Sequence, residues 1–237
     1  MRIGILQTDS VRAEFQNDFG DYPDMFRRLL LDADPGLEFA DYDVEHGQYP
    51  EHIDECDAYL ITGSRDSVYD DQDWIRTLAA FVGELHQARV KLVAICFGHQ
   101  LVAHFFGGET RPADVGWGVG VKESEVVARR EWMEPPVDRV RLLVSHKDQV
   151  LSLREGAEVF ATSEYCPVAG YTIGDHIFAV QGHPEFVKGY SQALIDWRRE
   201  VLGEECAEAG IQSLREETDE QVVANWIVNF LKKGVSA

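Results

Sequence analysis

Two short stretches of the 237-residue sequence carry residue types suited to attack on a carbonyl: Cys96 in "AICFGHQ" (94–100), and His183 with Glu185 in "QGHPEF" (181–186). A cysteine attacks as its thiolate, and its surroundings here favour that form. The apolar run ending at Ile95 reads as a strand, Phe97-Gly98 opens a helix, and Cys96 occupies the sharp turn between them, in the manner of a nucleophile elbow. That turn lifts the sulfur clear of the sheet, while the unpaired N–H groups at the start of the helix attract its negative charge. Ala94 and Gly98 are small enough for the turn to close. Downstream, Pro184 biases His183 toward extended backbone, in which residues two apart share a side, so Glu185 is placed to orient the imidazole. The three residues make a candidate Cys-His-Glu triad for covalent catalysis.

Such a triad needs a sheet to carry the elbow. Short apolar runs ("RIGILQ", "LEFADYDV", "AYLITGS", "KLVAIC") alternate with helix-spaced segments ("MFRRLLLDA", "WIRTLAAFVGELHQA", "HQLVAHFFG"). This order predicts βαβ units: an α/β fold with a doubly wound, mostly parallel sheet flanked by helices. From Val115 to Val180 strand-like pieces follow one another with few helical patterns between them, which predicts an antiparallel extension of that sheet. Two closing helices are expected, in "YSQALIDWRREVL" and "QVVANWIVNFLKK", the second stopped by Gly234. With no repeat, low-complexity tract or linker, the expectation is one domain over residues 1–237.

Composition narrows the partners. Forty-two acidic against 22 basic residues give a formal charge of -20, which opposes a phosphate backbone or an anionic membrane surface. Neither nucleic acid nor membrane is therefore an expected partner, and no signal peptide, membrane helix or lipidation motif is recognised. Cys56, Cys96, Cys166 and Cys206 are widely spaced, without a CxxC pair, so a reducing cytoplasm is expected and neither a disulfide framework nor a zinc site. His99 and His104 read as packing residues of the elbow helix, and Asp70, Asp71 and Asp73 as a solvated loop running into a helix N-terminus. Trp117, between glycines, is either core or a pocket wall.

At this point the sequence resembles the class I, triad-type glutamine amidotransferase family over nearly its whole length. Four motifs in the family's order carry the resemblance: "LITGSRDSVYDD" (60–71), "AICFGHQ" (94–100), "VSHKDQV" (144–150) and "GHPEF" (182–186). The first and third look most like stand-alone, GMP-synthase-like members, a group that includes γ-glutamyl peptidases acting on glutathione-type substrates. By position the resemblance implies Cys96 as nucleophile, His183 as general base and acid, and Glu185 as its orienting partner. It implies the backbone N–H groups of Gly63 and Phe97 as the oxyanion hole. Gln100 and the backbone around Ser145 and His146 correspond to positions that hold the α-amino and α-carboxyl groups of a glutamyl substrate. Ala94 departs from the glycine of many relatives. Lys147, at a variable position, either pairs with the substrate carboxylate or points to solvent.

The implied reaction is hydrolysis of the γ-carboxamide of glutamine, or of a γ-glutamyl amide, through a γ-glutamyl thioester, with no metal and no cofactor. Two roles follow from it. A glutaminase component would pass ammonia to a synthase on a second polypeptide, since the chain carries no P-loop or other nucleotide-binding motif. A self-sufficient γ-glutamyl peptidase would need no partner beyond its small-molecule substrate. A binding or regulatory protein that keeps the fold without turnover is a third expectation, opposed by the intact triad.

Overall fold

The computed structural model describes residues 1–233, so Gly234, the expected stop of the last helix, lies outside the described residues. Its strands are β1 (Arg2–Gln7), β2 (Glu38–Asp43), β3 (Ala58–Ile61), β4 (Lys91–Ile95), β5 (Glu109–Pro112), β6 (Gly118–Val126), β7 (Arg139–His146), β8 (Asp148–Ser152), β9 (Ala157–Thr162), β10 (Gly170–Ile173) and β11 (Ile177–Val180). Its helices are α1 (Ala13–Phe19), α2 (Tyr22–Ala33), α3 (Asp73–Ala88), α4 (Phe97–Phe105), α5 (Lys188–Leu202), α6 (Glu204–Ser213) and α7 (Glu220–Lys232).

Nine strands form one sheet in the order β2-β1-β3-β4-β11-β10-β9-β6-β7, and β5 pairs with β8 in a separate ribbon. From β2 to β11 neighbouring strands are parallel, and from β11 to β7 they are antiparallel. The composite sheet follows from the change of texture near Val115. β3, β4 and β11 are buried on both faces and so are apolar without alternation.

The helices cover the sheet with apolar stripes. α3 buries Ile75, Leu78, Ala79, Val82 and Leu85, the i, i+3, i+4 rhythm of one helix face, against the side that also holds Phe97 and Leu101 of α4. On the other face, Phe26 and Leu30 of α2 meet Trp226, Ile227, Phe230 and Leu231 of α7 over Ile3, Val93 and Phe178. Each large apolar side chain fully buried this way stabilises the fold by about 1.5–3 kcal/mol before chain entropy is counted. Asp21 caps α2 in a reciprocal capping box with Asp24, and Pro23 fits its first turn.

The chain closes with three helices where two were expected. The additional one, α6, carries a glycine in its interior and buries only Ala207 and Gly210, so its sequence lacks a strong apolar stripe. α1, with no fully buried residue, was also not apparent.

Candidate active site

The site begins where β4 runs into α4 without a loop. Cys96 joins them at φ 50° and ψ −96°, a positive-φ conformation that costs a non-glycine residue about 1–3 kcal/mol. Among the described residues only Arg89 is another non-glycine with positive φ. Neighbouring hydrogen bonds hold Cys96 there: its N–H donates to the Val180 carbonyl at 3.0 Å and its own carbonyl accepts from Gln100 N–H at 3.0 Å. Gly98 lets α4 seat on β3, since a Cβ there would lie 2.8 Å from the Cβ of Ile61 and 3.2 Å from its carbonyl oxygen.

Parallel pairing of β4 with β11 sets Ile95 beside Val180, so the residues that follow, Cys96 and Gln181, emerge together at the same sheet edge. Gln181 Nε2 lies 3.5 Å from Cys96 Sγ. Its Oε1 in turn accepts from Gln100 Nε2 at 3.0 Å, and the same Gln100 nitrogen donates to the Asp148 carbonyl at 2.9 Å. The amide of Gln100, expected to touch substrate, is thus committed to fixing Gln181, while the residue still lines the cavity that holds Cys96.

His183 follows two positions on. Its N–H donates to the Leu143 carbonyl at 2.8 Å, its ring stacks on Phe186 with centroids 3.9 Å apart, and its Nδ1 is 2.8 Å from Glu185 Oε1. Because a carboxylate only accepts, Nδ1 carries the proton and Nε2 is left for chemistry. Both side chains are buried. Burial opposes a charge on His183, yet the Cys96 sulfur and the Glu185 carboxylate outweigh it and hold the imidazolium pKa up at about 10. Gly63 completes the contact: a Cβ on it would lie 2.8 Å from His183 Cε1 and 3.6 Å from the Cβ of Cys96. Among the described residues, neither the Gly63 nor the Phe97 N–H is donated to an acceptor in the chain. The structure therefore brings Cys96, His183, Glu185, Gly63 and Phe97 to one place.

An open cavity of about 250 Å³ leads to the sulfur, and Gln100, Ser145, His146 and Lys147 line it. His146 is buried, donates from Nδ1 to the Asp148 carbonyl at 2.9 Å, and is kept neutral chiefly by burial, with its pKa pushed down to about 4. Trp117 walls this cavity. His99 is fully buried against Tyr171, as a packing residue should be. Asp71 and Asp73 are exposed and pair with Arg76 at the start of α3. Further cavity or elbow residues had not been singled out in the sequence, among them Gln181, Asp148, Arg65 and Arg198. Gln181 was within reach of the pattern, since in extended backbone it shares a side with His183 two positions on. Arg198 lies in α5 outside any motif.

Comparison with known proteins gives the family and the fold. The profile of the glutamine amidotransferase class-I family matches residues 26–196. Gamma-glutamyl peptidase 3 of Arabidopsis thaliana is 31% identical over 75% of this chain and 74% of its own length. The glutamine-hydrolysing GMP synthase subunit of Methanosphaera stadtmanae is 32% identical, over 40% of this chain and 52% of its own. Among solved structures, a glutamine amidotransferase from Thermotoga maritima shares the fold with a TM-score of 0.75 at 18% identity, covering 98% of this chain and 96% of that one. The chain belongs to the class I glutamine amidotransferase family and is a cysteine-dependent amide hydrolase.

Proposed function

We propose that Cys96, His183 and Glu185 are the catalytic triad of a hydrolase that acts alone on γ-glutamyl amides. The observation that carries this reading is the buried His183–Glu185 pair set against a cysteine at positive φ, with that cysteine lining an open cavity.

In this mechanism the thiolate attacks the γ-carbonyl of the bound substrate and forms a tetrahedral intermediate. Its oxyanion is received by the N–H groups of Gly63 and Phe97, each worth about 3 kcal/mol in the transition state. The imidazolium of His183 gives its Nε2 proton to the departing nitrogen, the C–N bond breaks, and a γ-glutamyl thioester remains. His183, now neutral, takes a proton from water, whose oxygen attacks the thioester. Glutamate leaves, and the thiolate–imidazolium pair is restored.

The cavity suits a zwitterion: Arg65, Lys147 and Arg198 face it together with Asp66 and Asp148, and a γ-glutamyl group presents one ammonium and one carboxylate. The match to the γ-glutamyl peptidase covers far more of the chain than the match to the synthase component, which supports action without a partner. Four unpaired cysteines support a reducing, cytoplasmic setting, and no described helix is long and apolar enough to cross a membrane.

A second reading, a glutaminase component that delivers ammonia to a synthase, is favoured by the resemblance to the GMP synthase of Methanosphaera stadtmanae. Purified chain offered glutamine and a panel of γ-glutamyl amides separates the two. Rapid glutamate release from the γ-glutamyl amides supports the hydrolase. Near-silence relieved only by a co-purifying protein supports the ammonia donor.

A further inference from the structure

Arg198, on α5, is the half-buried cation of the cavity whose charge is left unanswered; Lys147, which also has no ion-pair partner among the described residues, is exposed. Six arginines are half-buried. Arg12, Arg27, Arg130, Arg141 and Arg199 each reach a carboxylate, whereas Arg198 has none within ion-pair distance among the described residues. In a chain of net charge -20 that isolation is unusual. A guanidinium withdrawn from water without an anion is unfavourable unless its surroundings compensate or a ligand completes them.

Its surroundings fix the group and leave most of its donors unused. Nη1 donates to Ser145 Oγ at 2.7 Å. The guanidinium carbon lies 5.4 Å from the centre of the Trp117 ring and 5.8 Å from that of Trp197. Arg198, Ser145 and Trp117 line the same cavity as Cys96. The two carboxylates of that cavity are engaged elsewhere: Asp148 accepts from Ser67 Oγ and Tyr69 OH, and Asp66 from Gln72 Nε2. A planar donor fork, held by a hydroxyl and an aromatic face with no internal anion, matches a carboxylate in two-point contact.

We infer that Arg198 is the carboxylate anchor of the substrate cavity, an inference that rests on the γ-glutamyl amide reading and names the residue that recognises the substrate's negative charge. Two carboxylates of such a substrate could fill the position: the α-carboxylate of the glutamyl group, or one carried by the departing amine when that amine is an amino acid.

The test is calorimetric binding to full-length Cys96→Ala protein, with and without Arg198→Met, so that turnover is not needed. Three ligands are compared: γ-glutamylalanine, γ-glutamylethylamide, which lacks the carboxylate on the amine, and 4-aminobutanoylalanine, which lacks the α-carboxylate. Loss of one charge-assisted contact weakens binding by about 10- to 100-fold. A loss confined to the two alanine amides assigns Arg198 to the amine's carboxylate; a loss confined to the two γ-glutamyl ligands assigns it to the α-carboxylate. Either result upholds the anchor. Equal weakening of all three, no weakening, or no binding of any of them to Cys96→Ala overturns it. Arg198→Lys keeps the charge without the fork and should bind the affected ligands with intermediate strength; if the methionine variant does not fold, indistinguishable lysine and parent affinities overturn the anchor. Absence of turnover by the unmodified enzyme on the same γ-glutamyl amides contradicts the proposed function instead, and leaves the binding result to be judged separately.

Discussion

Nδ1 of His183 and Oε1 of Glu185 stand 2.8 Å apart with only Pro184 between them in sequence, both side chains buried. The expected extended run is replaced by a turn at Pro184-Glu185, which brings the two to one side, so the carboxylate fixes the tautomer that leaves Nε2 for proton transfer. Glu185→Gln keeps the shape and removes the charge. It should lower kcat by about 100- to 10,000-fold and, because it breaks a buried charge pair, lower the thermal midpoint as well, as steady-state kinetics beside thermal unfolding will show.

The same pair sets a pH dependence. His183 is held charged up to about 10, against burial, by Cys96 and Glu185. Because its folded pKa lies above the ordinary histidine value near 6.5, its contribution to stability is fully present below that value and is lost as pH rises through about 10. The acid needed to expel the amine disappears over the same alkaline range. Measured as kcat against pH, the alkaline limb should move to lower pH in Glu185→Gln; an unmoved limb would mean that another group titrates there.

Gly63 abuts the ring it would serve. Its missing Cβ would lie 2.8 Å from His183 Cε1, so Gly63→Ala must displace the imidazole or the loop that offers the oxyanion donor. Displacement of about 1 Å costs about 100-fold in rate. The variant should lose at least that much kcat while keeping its far-ultraviolet circular dichroism.

Gln181 holds the sulfur rather than reacting with it. Gln181→Leu removes the amide near Cys96 Sγ and leaves Gln100 with one partner fewer. A net hydrogen bond of about 0.5–1.5 kcal/mol predicts a decrease in kcat of roughly 2- to 10-fold. A loss as large as that of Cys96→Ala would show that Gln181 takes part in the chemistry itself.

On the acid side, His99 and His146 are kept neutral by burial, with pKa values pushed down to about 3 and about 4. In the unfolded chain they take up protons near pH 6.5, so unfolding is favoured progressively as pH falls from there toward 4. The thermal midpoint should drop between about pH 7 and about pH 5, and His99→Phe should reduce the drop.

What the sequence disclosed reflects the range over which each signal acts. The elbow was legible because strand, cysteine and glycine-containing helix start are contiguous; the His183–Glu185 pair was legible from its closeness in sequence, although a turn rather than extended backbone brings the two together. The α/β architecture followed from the alternation of apolar runs. Long-range relationships were not legible: Gln181 and Cys96 are 85 positions apart and meet only because β11 pairs with β4. Arg198 belongs to a helix whose pattern announces burial of Leu194 and Ile195, and nothing in that pattern marks a cavity on its polar side. The weakly striped α6 was hidden for want of apolar spacing.

The central claim is that Cys96 carries the acyl group. Acid quenching of the enzyme during turnover of a γ-glutamyl amide, followed by peptide mass spectrometry, should place a glutamyl adduct on the peptide that contains Cys96. Cys96→Ala should show neither adduct nor turnover. An adduct on another residue, or near-wild-type turnover by Cys96→Ala, would contradict the account.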